Sequence, residues 1–317
     1  MTDNTFHPLD AFSHQMDTFR TRFQGDSRDW KLIEEYLLMP LFNINSVNEL
    51  SLSQQERERL YHVLQTNANT FRELLKEVGY QLFFSEVEAY HSGDASYRSR
   101  YRPHVIGDDT KQAKGTAKCM EYLTELFCPA YGKKLPCYNL VVLIATFGDT
   151  KWEIPLDICL WLPKNHPNHL SKPRMMKKLV LSLKEEAEKR GISLKGILFS
   201  CDAAYQRSNA LMGAVVAAGF TLIVKVSGNL TFTVASKKRK AKDILSQTPI
   251  TKMKQSGRLG WRYHYKRIRA VHPTIGNVIL IISVLYDEKH DVYRRILLMT
   301  TDFMMQAPAA VVNYKRR

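Results

Sequence analysis

Between Arg102 and Gly228 the chain alternates its hydrophobic runs in an order that few folds accept. Three short stretches rich in β-branched and aromatic residues come first: RPHVIGDDT, YNLVVLIATFG from Tyr138, and WEIPLDICLWLP from Trp152. The second and third are joined by Gly148-Asp149-Thr150-Lys151, so the three read as an antiparallel meander. PRMMKKLVLSLKEEAEKRG then reads as a helix, with Pro173 near its first turn and Gly191 as its stop. GILFSCDAAY follows as a buried strand broken at Asp202. A helix over 207–218 closed by Gly219 and the strand FTLIVKVSG complete the order β-β-β-α-β-α-β.

That order predicts an α/β fold with a ribonuclease H-like mixed sheet. In such a sheet Asp108 lies at the end of the first strand and Asp202 at the end of the fourth. If those strands are neighbours, the two carboxylates converge at one sheet edge although far apart in sequence. Converging carboxylates are what a two-metal phosphoryl-transfer site needs, with Mg²⁺ ions roughly 3.5–4 Å apart. The adjacent pair Asp108-Asp109 raises its own problem, because two neighbouring acids repel and burial without a cation is expensive. Either acid of the pair suits a metal, and the other suits a turn cap. Asp202 has a second reading as the N-cap of the helix that follows it. Lys111 and Lys114 suit either phosphate contact or a simple position beside the acids.

The flanks differ from this centre. Residues 1–95 read as an N-terminal helical region: Ser53 stands three before Glu56 as a possible capping box, and Leu60, Val63, Leu64, Phe71, Leu74, Leu75 and Val78 form packing stripes. HSGDASYRSRYRP at 91–103 reads as an exposed connector whose Arg98, Arg100 and Arg102 are candidate phosphate contacts. Residues 96–317 read as the catalytic domain, with an inserted β-rich region at about 230–290. Within it GWRYHYKRIRAV interleaves aromatics and bases and is expected to present Arg262, Lys266, Arg267 and Arg269 on one solvent face, while KKRKAK at 237–242 suits a solvated loop or a nucleic-acid contact equally.

Charge follows the same division. Residues 1–100 hold 10 Lys and Arg against 15 Asp and Glu, a net of −5; residues 101–317 hold 36 against 16, a net of +20. A positive field around paired acids favours a polyanion, and nucleic acid fits it. No apolar run approaches a membrane span, the first residues lack the pattern of a secretory signal, and five cysteines without a CxxC pair suit a reducing cytoplasm. His166 and His169 in NHPNH read as a loop, and Asp149 and Asp157 as turn and structural positions.

IGDDTKQAK around Asp108, PLDICLWLPK at 155–164, ILFSCDAAY around Asp202 with KVSGN after it, and the final Tyr314, Lys315, Arg316 and Arg317 together resemble the IS4-like DDE transposases of bacterial insertion sequences. The resemblance covers roughly residues 95–317. It implies Mg²⁺ or Mn²⁺ held by Asp108 and Asp202, and prefers Asp108 over Asp109 as the ligand. It also implies double-stranded DNA at transposon ends and target DNA as partners, a possible homodimer, and hydrolysis followed by strand transfer. In that family the third acid follows a Y-x2-R pattern, here Tyr314 and Arg317, which the resemblance turns toward phosphate. The glutamate would stand four residues beyond Arg317, so the expectation is a domain incomplete at its C-terminus, impaired in activity, with a sheet face left partly uncovered. Two rivals remain: a ribonuclease H-like nuclease with an internal third acid such as Glu288, and a non-catalytic DNA-binding fragment that interferes with full-length transposase.

Overall fold

A computed structural model of the chain describes residues 16–17, 19–38, 50–114, 122–128, 131–148, 153–256, 260–287 and 292–315. Two compact units divide it, Met1–Gln81 and Leu82–Arg317.

In the first unit α1 (Ser27–Leu38) and α2 (Gln54–Thr66) precede α3 (Ala68–Ser92), within which the division falls. The capping box at the start of α2 is formed: the Ser53 hydroxyl accepts from the Glu56 amide, and the Glu56 carboxylate accepts from the Ser53 amide at 2.7 Å. Leu60 and Val63 bury against Phe19, Trp30 and Ile33, with Phe71 and Leu74 packed beside them. Five of the predicted stripe residues, Leu60, Val63, Leu64, Phe71 and Leu74, thus face one apolar cluster, which includes neither Leu75 nor Val78.

In the second unit the end of α3 is followed by α4 (Ala95–Arg100), a short helix capped by Asp94, where the sequence reading places an exposed connector. The strands are β1 (Pro103–Ala113), β2 (Thr124–Cys128), β3 (Lys133–Phe147), β4 (Glu153–Leu160), β5 (Leu198–Cys201), β6 (Thr221–Lys225), β7 (Thr231–Val234), β8 (Lys237–Lys240), β9 (Lys254–Ser256), β10 (Gly260–His272), β11 (Gly276–Asp287) and β12 (Val292–Thr300). Interspersed helices are α5 (Lys172–Lys189), α6 (Ala203–Gln206), α7 (Asn209–Ala217), α8 (Ala241–Ser246) and α9 (Ala307–Lys315). They form one 12-stranded sheet in the order β2-β3-β1-β5-β6-β12-β11-β10-β7-β8, with β4 beside β3 and β9 beside β10.

The first half of that order is the ribonuclease H-like arrangement. β1 runs antiparallel to β3, β3 to β4, and β1 runs parallel to β5 and β5 to β6. On α5, Met176, Leu179, Val180, Leu183 and Ala187 are buried at helical spacing. A Cβ at Gly107 of β1 would stand 2.7 Å from the Met176 sulfur, so glycine there is what lets α5 approach the strand. Gly191, at φ +67°, ends the run after α5 as predicted.

The insertion is not a separate appendage. β12 pairs antiparallel with β6 through Leu298↔Lys225 and Thr300↔Ile223, so β7–β12 prolong the same sheet. KKRK is a strand rather than a loop: Ala235 and Ser236 both take positive φ, and this two-residue turn folds β8 back on β7. The face expected to lie uncovered is covered. Ala307, Ala310 and Val311 of α9 bury against Leu198, Ile223, Ile281 and Leu298.

Candidate active site

The parallel ladder between β1 and β5 sets the geometry. Its last pairs are Ile106↔Ser200 and Gly107↔Cys201, so the next step along both strands sets Asp108 opposite Asp202. Asp202 keeps an extended backbone, φ −66° and ψ 156°, and so continues the line of β5 by one residue. Neighbouring strands lie about 4.8 Å apart. Both side chains are half-buried, and side-chain alternation gives them the face that carries Leu198, Ser200 and His104. One step behind them His104 Nε2 and Ser200 Oγ, both buried, are 2.5 Å apart.

Both readings of Asp202 hold at once. Its Oδ1 accepts from the Ala203 amide at 2.7 Å, which caps α6, while the same residue stands beside Asp108. Asp108 Oδ1 accepts from the Asp109 amide at 2.9 Å.

Asp109 is not a turn cap, because β1 continues through it to Ala113. Alternation sends it to the opposite face from Asp108, toward α5. There Lys172 Nζ lies 2.5 Å from its Oδ2, and the Tyr205 hydroxyl donates to its Oδ1 at 3.3 Å. The two adjacent acids are thus tolerated by pointing apart, one against a lysine. The Lys172 ammonium also lies 5.6 Å from the centre of the Trp161 ring. Burial first, and then the charges of Asp109 and Asp108, push the Tyr205 phenol well above its usual range. Tyr205 therefore stays protonated as a donor. A cavity of about 310 Å³ opens beside this group, lined in part by Asp109, Trp161, Lys164, Lys172 and Tyr205.

The remaining sequence candidates scatter. Lys111 Nζ donates to the Phe127 carbonyl at 2.9 Å, and the Lys114 amide to the Pro136 carbonyl. Lys266 and Arg267 are consecutive on β10, so they face opposite sides of the sheet and the single basic face does not form. Arg267 donates to the Phe303 carbonyl at 2.6 Å, and Arg269 is exposed. Arg262 falls within β10, but its side chain lies outside the described residues, as do Arg317, Glu288 and Asp149 altogether. Tyr314 is helical and packs against the apolar cluster beneath α9 instead of standing in solvent. Arg102 is held by the Gly196 carbonyl at 2.7 Å and by Asp302 at 3.4 Å, so it braces the fold. His169 bonds the Leu162 carbonyl and His166 the Asn168 amide, as loop residues do. Asp157 is buried and accepts from the Ile158 amide.

Lys172 and Tyr205 escaped the sequence reading. One signal for the first was there: a lysine in the first turn of a helix opposes the helix dipole, so its presence points to an acidic partner nearby.

Two carboxylates at neighbouring positions are hard oxygen donors of the kind Mg²⁺ or Mn²⁺ takes. Among the described residues no group of three or more His, Cys, Asp or Glu is arranged to hold a metal ion. No helix among them is long and apolar enough to cross a membrane.

No family model and no curated protein matches the chain. Among solved structures, the crystal structure of the NurA nuclease from Sulfolobus solfataricus aligns with 83% of this chain and 85% of its own, at 9% identity and a TM-score of 0.31. A superposition that loose carries no argument about the site, which rests on this chain's own residues.

Proposed function

We propose that the chain is the catalytic region of a DNA transposase of the IS4-like kind. The observation that supports this best is the β1–β5 register, which brings Asp108 and Asp202 side by side on one face at the end of the parallel ladder. The β insertion between β6 and α9 and the net charge of +20 over residues 101–317 agree with it.

In this reading Asp108 and Asp202 hold Mg²⁺ or Mn²⁺, which when bound polarises the scissile phosphate and activates the attacking oxygen. The carboxylates supply negative oxygen donors; the surrounding bases offset the charge of the DNA strand as it approaches. Hydrolysis forms a bond from water oxygen to phosphorus and breaks the bond to the 3′ oxygen, which leaves with a proton as a 3′-hydroxyl. Strand transfer repeats this exchange with that hydroxyl as nucleophile on target DNA. Two acids are fewer donors than such a cation takes, so further oxygen donors complete its shell when it is bound.

The test is metal-dependent cleavage and strand transfer on DNA carrying the ends of the element that encodes the chain. The chain is compared with its Asp108→Asn variant. Cleavage that needs Mn²⁺ or Mg²⁺ and is lost in Asp108→Asn supports the reading. DNA binding without cleavage leaves the non-catalytic DNA-binding reading in its place.

A further inference from the structure

The ladder between β1 and β5 stops at Gly107↔Cys201, one step short of the two acids. No main-chain pair of that ladder therefore fixes how far Asp202 stands from Asp108. Asp202 belongs instead to the entry of α6, a helix of 4 residues, and so short a helix has little stability of its own. The register brings the turn to β1, and side-chain contacts are left to fix its last step.

Tyr205 is placed to do so. It sits three residues after Asp202, its amide bonds the Asp202 carbonyl at 3.0 Å, and its ring is 1% exposed. Its hydroxyl reaches back across the strand gap to Asp109, the residue next to Asp108. Lys172 closes the other side of the same carboxylate from the first turn of α5. Gln206 anchors the far end of the turn, its Oε1 accepting from the Ser227 amide at 3.3 Å.

We infer that Asp109 and Tyr205 are positioning residues that clip the Asp202 turn to the Asp108 strand and so set the spacing of the two proposed metal ligands. The inference rests on the assignment of Asp108 and Asp202 as that pair. It gives the double-aspartate motif a division of labour: Asp108 faces the phosphate, and Asp109 holds the partner acid in register from behind. Partners that orient ligands commonly govern metal affinity by 10–100-fold.

The experiment titrates Mn²⁺ into the full chain and follows free Mn²⁺ by electron paramagnetic resonance, alongside the thermal midpoint. Tyr205→Phe removes one hydroxyl and keeps the buried ring, and Asp109→Asn keeps an acceptor for Tyr205 while discarding the charge that holds Lys172. Each is expected to weaken Mn²⁺ binding roughly tenfold, with the midpoint nearly unchanged in Tyr205→Phe. Coupled residues do not add, so the double variant should lose little more than either single one. Wild-type Mn²⁺ affinity in Tyr205→Phe, with binding lost in Asp108→Asn, overturns the clip alone. Wild-type affinity in both Asp108→Asn and Asp202→Asn overturns the site itself. Should Asp109→Asn fail to fold, Tyr205→Phe alone decides.

Discussion

The two halves of the sheet use charge in opposite ways. In the half built from β1 to β6, the charged groups beside the site are tied to partners: Asp109 is held by Lys172 and by the Tyr205 hydroxyl. In the half built from β7 to β12, Lys237, Lys238, Arg239 and Lys240 stand exposed along the outermost strand. Tied charge fixes geometry, and exposed like charge attracts a polyanion from a distance. Under the proposed function, chemistry belongs to the first half and capture of the DNA backbone to the second.

The strongest test of that division removes one acid. Asp108→Asn or Asp202→Asn should lower metal-dependent phosphodiester cleavage by on the order of 10³-fold, the several kcal/mol that a held cation supplies. DNA affinity in the absence of metal should hold or rise slightly, since a negative charge is lost. Gel-shift and cleavage assays on one preparation measure both, and a parallel loss of binding would break the comparison.

Stability should not follow the division, because one core runs through both halves. Leu183 on α5 and Ile281 on β11 are each fully buried. Truncation of either to alanine should destabilise the protein by about 2–5 kcal/mol, and both should shift the same unfolding transition of the Leu82–Arg317 unit. Two transitions, each sensitive to only one substitution, would mean that the halves fold apart despite the β12–β6 pairing.

The exposed strand gives a smaller effect. Each Lys or Arg that neutralises a phosphate contributes about 0.9 to the slope of log affinity against log salt. Replacing Lys237, Lys238, Arg239 and Lys240 with glutamine should flatten that slope and weaken DNA binding at low salt, while Mn²⁺ affinity stays at the wild-type value. An unchanged slope would reduce these residues to a charged edge that keeps one sheet from pairing with another.

The same contrast explains what could be read beforehand. The centre was legible because its elements carry clear apolar patterns: α5 has its buried stripe from Met176 to Ala187, and β1, β3 and β4 each contain a short apolar run that includes β-branched residues. Strand order put Asp108 and Asp202 at neighbouring strand ends, and the choice of Asp108 over Asp109 came from the family resemblance. β2 was missed because Thr124–Cys128 is a 5-residue edge strand with only Cys128 fully buried. β8 was missed because Lys and Arg have little preference for strands, and the pairing comes from the turn at Ala235 and Ser236. The supposed basic face of β10 failed on parity, since Lys266 and Arg267 are neighbours in a strand. Arg102 and Asp302 are distant in sequence, and only the assembled sheet brings them together. The roles of Lys172 and Tyr205 were hidden for the same reason.

Buried histidines carry the comparison down to a single proton. In the β1 half, His104 is paired with Ser200; in the insertion, His272 is buried at the β10–β11 turn, where its Nδ1 accepts from the Thr274 amide at 3.1 Å and the Ile275 amide at 3.3 Å. Its Nε2 is buried with no hydrogen-bond partner among the described residues, and burial lowers its pKa below the ordinary 6.5. The unfolded chain therefore binds a proton near pH 6.5 that the folded chain refuses until lower pH, so the unfolded state holds more protons in that window. Stability should fall as pH drops through that value and level off once the folded ring also protonates. His272→Asn keeps a side-chain acceptor for the turn amides but cannot titrate, so its urea midpoint should decline less than the wild-type midpoint between pH 7.5 and 5.5. Equal declines would show that other groups set the acid sensitivity, and that the insertion is no more sensitive to a buried proton than the half that carries the acids.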